Sequence, residues 1–242
     1  MIETNPESLV EQILPYERET FLWLNEFHNV FWDSFMWMYS GKATWIPLVL
    51  VGLGVFFYKM PWKQSVLLLV CMVLVGLLCD QLSAGVIKPI FERLRPTHHP
   101  DFKDYVTIVN NYRGGRFGFI SAHAANGFGI ATFLSLVFKY RRFTVVIFSW
   151  ATLTCYSRIY LGVHFISDVI GGMLLGGIVG FLVYLLFQYG RLRLLKQTPE
   201  ELRVPAYSHF RANIVCITIA VIVITLFIIS FMNFMYGFRW FF

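Results

Sequence analysis

Charge is what this sequence has least of. Asp, Glu, Lys and Arg make up 14% of its 242 residues, against about 25% in soluble domains. With a mean hydropathy of +0.62, that shortage excludes an ordinary soluble domain and places the chain in a membrane. Cysteine is also scarce. Cys71, Cys79, Cys155 and Cys216 sit in apolar runs without paired spacing, which excludes a disulfide framework and a zinc site and leaves packing as their expected role. A formal charge of +6 without a soluble basic domain to carry it argues against nucleic acid as a partner. The first residues are acidic and lack the basic-then-apolar order of a cleaved signal peptide, so the first span is expected to act as its own signal.

What the chain has is long apolar runs, at about 44–60, 64–86, 121–139, 143–162, 165–189 and 211–236. The fold class expected is therefore all-α, a polytopic membrane protein built as a six-transmembrane helix bundle. Residues 1–43 are assigned to an N-terminal amphipathic segment lying in the interface and 44–242 to the membrane domain. In the segment Glu11, Glu17, Glu19, Glu26 and Asp33 alternate with Leu14, Phe21, Leu24 and Trp37, as an interfacial helix requires. A short or tilted span over 31–39 is the alternative. The short connections at 59–63, 139–142 and 190–211 carry Lys59, Lys63, Lys139, Arg141, Arg142, Arg191, Arg193, Lys196, Arg203 and Arg211. The positive-inside rule makes that face cytoplasmic and puts both termini and the 88–120 loop outside.

Several positions carry specific expectations. Gly172, Gly176 and Gly180 repeat a small-xxx-small pattern, beside Gly171 and Gly177, and predict a closely packed partner helix. Asp80 lies within an apolar run, where a carboxylate needs a partner. Lys88 or Arg158 would serve, and a neutral hydrogen-bonded acid is the alternative. The aromatic residues Phe231, Phe234, Tyr236, Phe238, Trp240, Phe241 and Phe242 form an expected interfacial belt. In the outer loop, Lys103, Arg113 and Arg116 are extra cations that suit a second phosphate or an anionic headgroup, or else balance Asp101 and Asp104. Adjacent His98 and His99 lack a ligand cluster, so no metal is assigned to them.

The chemistry concentrates at 157–168, Ser-Arg-Ile-Tyr-Leu-Gly-Val-His-Phe-Ile-Ser-Asp. If a helix has begun there, His164 and Asp168 share one face. The carboxylate can then fix the imidazole tautomer, leave Nε2 free and stabilise the cation formed after attack. Arg158 brings a planar fork of donors suited to an oxyanion. The same residues also fit a hydrogen-bonded interfacial histidine and a snorkelling arginine.

Two further stretches decide between these readings. Lys88…Arg95-Pro96, Ser121-Ala122-His123 and Ser157-Arg158…His164…Asp168 resemble, in order and spacing, the three signature motifs of the type-2 phosphatidic acid phosphatase superfamily. The resemblance covers 88–168. It implies that His164 attacks phosphorus, Asp168 supports it, and His123 protonates the leaving oxygen. Lys88, Arg95, Ser121, Ala122 and Arg158 would bind the phosphate. One departure is visible: the family usually reads Pro-Ser-Gly-His where this chain has Ile120-Ser121-Ala122-His123. Alanine keeps the backbone N–H, so the change bears on the local turn rather than the chemistry. Asn126, one turn after His123, either orients it or packs.

The resemblance implies a lipid phosphatase at the outer face of a bacterial inner membrane, working through a phosphohistidine, with no cofactor and no metal. Envelope lipids, undecaprenyl diphosphate or lipid A phosphate, are favoured over phosphatidylglycerol phosphate and phosphatidate. The rivals are a haloperoxidase, which shares the oxyanion site but is typically soluble, and a non-hydrolytic lipid-binding or translocating protein. Oligomeric state has no readable signal.

Overall fold

A computed structural model describes residues 6–237, with side chains from Leu9 onward. Among the described residues every regular element is helical. In chain order they are α1 (Pro6–Glu11), α2 (Leu14–Glu26), α3 (Val30–Ser40), α4 (Ile46–Phe57), α5 (Trp62–Asp80), α6 (Lys88–Phe91), α7 (Ala122–Phe138), α8 (Arg141–Tyr160), α9 (Ile166–Arg193), α10 (Pro199–Arg203) and α11 (His209–Tyr236). A 3₁₀ turn, Lys42–Trp45, joins α3 to α4, and a π-helical turn, Gln81–Ile87, joins α5 to α6.

The centre of the bundle is α7, enclosed by α5, α8 and α9. Its closest neighbour is α9, and glycine is the reason. A Cβ on Gly172 would stand 2.4 Å from the Ser121 carbonyl oxygen, one on Gly176 2.2 Å from that of Ala125, and one on Gly180 2.4 Å from that of Gly129. The repeated small residue therefore lets two backbones touch, as its spacing predicts. Gly177, with nothing near it, has no part in that contact. Around this core Cys71, Cys79 and Cys155 are buried, and all four cysteines are free.

Among the described residues three helices are long and apolar enough to cross a membrane: Trp62–Phe91, Ile166–Arg193 and His209–Tyr236. A fourth span results if Val30–Ser40 and Lys42–Phe57, bent by 66° from each other, cross as one. The sequence expects six, and the difference has physical causes. At 12 residues, α4 is about 18 Å long and too short to cross alone. At 17 residues, α7 reaches about 26 Å. Along α8, Ser149, Thr152, Thr154 and Ser157 dilute its apolar character. Of these, Thr154 and Ser157 are buried and Ser149 and Thr152 are exposed. Exposed Ile170, Leu174, Ile178 and Phe181 on α9, and Ile217, Val221, Ile224 and Ile228 on α11, supply the apolar outer surface.

The N-terminal helices lie against the bundle. Leu14, Glu17, Phe21 and Asn25, spaced by three or four, form the buried face of α2. That face packs on Phe102, Ile159, Phe165 and Val169, so the helix's apolar stripe meets protein. Asn25 donates to the carbonyls of Tyr160 (2.8 Å) and Ile159 (3.3 Å) and accepts from the Thr107 amide (2.9 Å), which closes the end of α8. The expected boundary at residue 43 falls within the 3₁₀ turn joining α3 and α4. Phe231, Phe234 and Tyr236 are exposed at the end of α11. Phe238, Trp240, Phe241 and Phe242 lie outside the described residues.

The basic connections collect at one end. Lys139 Nζ donates to the carbonyls of Leu202 and Arg203 (both 3.0 Å), Gln64 Nε2 to that of Ala206 (2.8 Å), and Arg211 to those of Val55 and Tyr58. At the other end, helix directions converge Lys88, Ser121, Arg158 and Asp168.

Candidate active site

Two helix starts and two helix ends build the site. α7 begins at Ser121, whose hydroxyl accepts from the Ala124 amide (3.4 Å) as an N-cap. α9 begins after Phe165, whose amide donates to Asp168 Oδ2 (3.0 Å), the reciprocal half of a capping box. The Ser121 amide donates to the Asp168 carbonyl (2.9 Å), so the second and third motifs are joined through backbone. The first motif arrives on the loop after α6. Leu94 and Phe117 form an antiparallel bridge there, flanked by Arg95 N to Arg116 O (3.1 Å) and Gly118 N to Arg93 O (2.8 Å). At Gly118 a Cβ would stand 2.7 Å from Asp168 Oδ2, so a side chain here would displace the carboxylate.

His164 is 1% exposed and Asp168 fully buried. The ring Nδ1 lies 3.3 Å from Asp168 Oδ2, and Nε2 lies 3.3 Å from Arg95 Nη1. These contacts determine the tautomer. Guanidinium only donates, so Nε2 must be the acceptor and Nδ1 carries the proton, which it donates to Asp168. The lone pair of Nε2 therefore faces Arg95, although His164 stands before the first turn of α9 rather than on the helix that the i, i+4 spacing supposes.

Arg95 is further held by the carbonyls of Phe117 (3.1 Å) and Val163 (3.2 Å). Arg158, 3% exposed, is held by neutral hydroxyls, Nη1 by Ser40 and Nη2 by Tyr112 at 3.3 Å. Lys88, partly buried, lies within electrostatic reach of Arg95, Arg158 and Asp168. Among the described residues none of these three cations forms an ion pair.

The carboxylates nearby are committed elsewhere. Arg93, fully buried, donates from Nη1 to Asp168 Oδ1 (2.8 Å) and Ser167 Oγ (2.5 Å), and from Nη2 to Glu17 Oε1 (2.6 Å). Glu17 in turn accepts from the Ser167 amide and hydroxyl, each at 2.7 Å. Sequence reasoning passes over Arg93, Glu17, Ser40 and Tyr112. Only Arg93, two residues before Arg95, has a position that hints at a role.

The remaining expected residues fall around this centre. His123 lines a cavity of about 390 Å³ together with Arg158 and Tyr112, and is near enough to His164 to interact electrostatically. Asn126 Oδ1 points toward Gly76 on α5 and makes no bond to His123, in line with its packing alternative. Arg113 and Arg116 are exposed on the loop. The first donates to the Thr97 carbonyl (2.9 Å) and the second stacks on Phe117. Asp80 is exposed near Lys88 and forms no ion pair among the described residues. His99 shares a 3.2 Å contact with Glu11, and His98 one of 3.1 Å with Thr97. No group of three or more His, Cys, Asp or Glu side chains that could hold a metal occurs among the described residues.

A buried imidazole backed by a carboxylate, its free nitrogen turned toward unpaired cations, is chemically equipped to take up an oxyanion and attack it. That describes a phosphoryl-transfer site on a helical membrane bundle. Residues 64–192 match the PAP2 superfamily, and the chain belongs to it. It is 45% identical to a lipid A 4′-phosphatase of Porphyromonas gingivalis over 77% of this chain and 79% of that one. A lipid A 4′-phosphatase of Bacteroides thetaiotaomicron is 35% identical, covering 79% and 85%. Among solved structures, LpxE of Aquifex aeolicus superposes with a TM-score of 0.52 at 26% identity, covering 69% of this chain and 94% of that one.

Removing Arg93 should be costly. Arg93→Ala leaves Glu17 and Asp168 buried without their cation, a change worth about 3–5 kcal/mol, and should lower the thermal midpoint of the purified protein in detergent. Arg93→Lys should recover little of it, because one ammonium cannot reproduce the fork. An unchanged midpoint for Arg93→Ala would show that the bridge contributes nothing.

Burial holds the His164 imidazole well below its ordinary value of 6.5, and the Arg95, Arg158 and Lys88 charges push the same way. A lowered pKa keeps the ring neutral at pH values where a free histidine is already protonated. Imidazole NMR of the substrate-free protein should therefore show His164 unprotonated at about pH 5.5. A midpoint at or above 6.5 would contradict the cation cluster.

Proposed function

We propose that this chain removes a phosphate from an envelope lipid of the lipid A class, at the outer face of the bacterial inner membrane, through a phosphohistidine on His164. One observation carries the reading: Arg95 stands 3.3 Å from Nε2 of His164, Lys88 and Arg158 act on the same imidazole electrostatically, and among the described residues none of the three cations has a carboxylate partner. Such a cluster is strained when empty and satisfied by a dianionic phosphate. The lipid A 4′-phosphatases among its relatives support the substrate class. A phosphatidylglycerophosphatase B of Bacillus subtilis, 33% identical over 57% of this chain, makes phosphatidylglycerol phosphate the second substrate to test.

In the proposed sequence the phosphate takes over the Arg95 donor that now faces His164, and the Nε2 lone pair is released. Nε2 then attacks phosphorus in line. His123, protonated from solvent once the bound phosphate offsets the neighbouring cations, gives that proton to the departing lipid oxygen, leaving the phosphoryl group on Nε2 and the Nδ1 proton shared with Asp168. Water, deprotonated by His123, breaks the N–P bond and frees inorganic phosphate. Ser121 and the Ala122 amide, at the start of α7, add the positive end of a helix dipole. Arg113 and Arg116 on the loop would meet a second anionic group. The fixed cations supply the charge stabilisation that a divalent ion supplies elsewhere.

Purified protein should release phosphate from 4′-phosphorylated lipid A in preference to undecaprenyl diphosphate, phosphatidylglycerol phosphate and phosphatidate, and should do so in EDTA. His123→Ala should cost about 10²–10⁴-fold, and His164→Ala should leave no phosphoenzyme. Near-normal turnover by His164→Ala, or loss of activity in chelator restored by a divalent ion, would sink the mechanism.

The orientation belongs to the same proposal. We take α3 with α4, α5 with α6, α7, α8, α9 and α11 as six spans, with the basic end cytoplasmic. In a protein stripped of its native cysteines, Asp104→Cys should react with an impermeant thiol reagent in spheroplasts while Glu200→Cys should not. The reverse pattern would place the site in the cytoplasm.

A further inference from the structure

The cavity beside His123 is much larger than a phosphate group, at about 390 Å³, a volume within the range of small-molecule sites. One wall is His123 and Arg158. Trp37 and Ser40 near the end of α3, Lys42 in the turn after it and Tyr112 from the outer loop line the cavity as well. Trp37, Ser40 and Lys42 lie outside the 64–192 stretch that matches the superfamily, so the shared phosphate chemistry does not account for them.

The chemistry of this wall is one-sided. No Asp or Glu lines the cavity. Lys42 is exposed and forms no ion pair among the described residues, yet acts electrostatically on both His123 and Tyr112. The partly exposed Trp37 and Tyr112 rings meet edge to face, 5.6 Å apart at 76°. Among the described residues neither the Trp37 indole N–H nor the Lys42 ammonium has a hydrogen-bond acceptor. Donors without acceptors, set beside aromatic faces, suit a ring that offers C–H groups on its faces and oxygens on its edge.

We infer that this cavity is the leaving-group subsite and that it takes a sugar ring, with Trp37 and Tyr112 packed against the ring and Lys42 on its oxygens. The inference rests on the phosphatase reading, because His123 is the proton donor to the leaving oxygen and whatever departs must lie beside it. The P–O bond breaks toward the cavity, the N–P bond forms at His164, and the sugar hydroxyl leaves with the proton from His123. A glycerol headgroup has no ring face for Trp37 to cover.

The test compares kcat/KM for lipid A phosphorylated on its 4′ sugar position with kcat/KM for phosphatidylglycerol phosphate. Trp37→Ala and Lys42→Ala should each lower the ratio of the two values by about tenfold, the size of one aromatic or charged contact. The loss should sit mainly in KM, and Trp37→Phe should recover most of the ratio. A second measurement needs no variant: glucosamine 4-phosphate should inhibit p-nitrophenyl phosphate hydrolysis by the unmodified protein about tenfold more tightly than glycerol 3-phosphate. An equal loss on both lipids, no loss on either, or equal inhibition by the two soluble phosphates would overturn the sugar subsite while leaving the phosphatase reading intact. No hydrolysis of any lipid by the unmodified protein would overturn both.

Discussion

The site depends on how one arginine divides the local negative charge. Arg93 holds both Asp168 and Glu17, the two buried carboxylates at this end of the bundle. With those acids occupied, Arg95 and Arg158 are left to carbonyls and hydroxyls, which orient a guanidinium without cancelling its charge. Charge that is desolvated and uncancelled attracts an anion far more strongly than the same charge in water. Asp168 serves two sides at once: Oδ1 meets Arg93 and Oδ2 meets His164 and the Phe165 amide. Its geometry at the imidazole is therefore set by a salt bridge that reaches the N-terminal helix.

Position matters as much as charge, and backbone supplies it. The amide of Ser121 is bonded to the carbonyl of Asp168, and three glycines let α9 run against α7 in van der Waals contact. His164 and His123 are thus carried by helices whose starts cannot move independently. A site built on helix starts also faces free backbone N–H groups, which a phosphate can use.

What was legible in the sequence follows from range. The His164 and Asp168 contact, the glycine face of α9 and the gathering of basic connections at one end all follow local or periodic features, though His164 stands before the first turn of α9 rather than within it. The Glu17 to Arg93 bridge joins residues 76 apart and leaves no periodic trace. Glu17 looks like one more acid on an amphipathic helix, and Arg93 like a loop cation, until folding puts them together. The span count is harder to read where length and hydropathy part company. Polar side chains lower the hydropathy of α8, and α4 is short because the chain turns a corner out of α3.

That corner is where the expected boundary at residue 43 falls. Breaking a helix frees carbonyls, and in an apolar setting each unbonded one costs several kcal/mol or about that order. Here Thr44 Oγ1 donates to the Met38 carbonyl (2.6 Å) and Trp45 Nε1 to that of Tyr39 (2.9 Å), so the break leaves both satisfied. Tyr39 itself donates to the Trp150 carbonyl (3.0 Å), midway along α8, which sets the corner deep in the bundle. Irregular backbone at such depth is tolerated where it is buried in protein or lines a polar cavity. The corner meets the second condition: it lines the cavity, delivering Ser40 to Arg158 and Lys42 to the space beside His123. A straight helix through this region would carry those side chains past the site, so the bend is what joins the N-terminal segment to the chemistry.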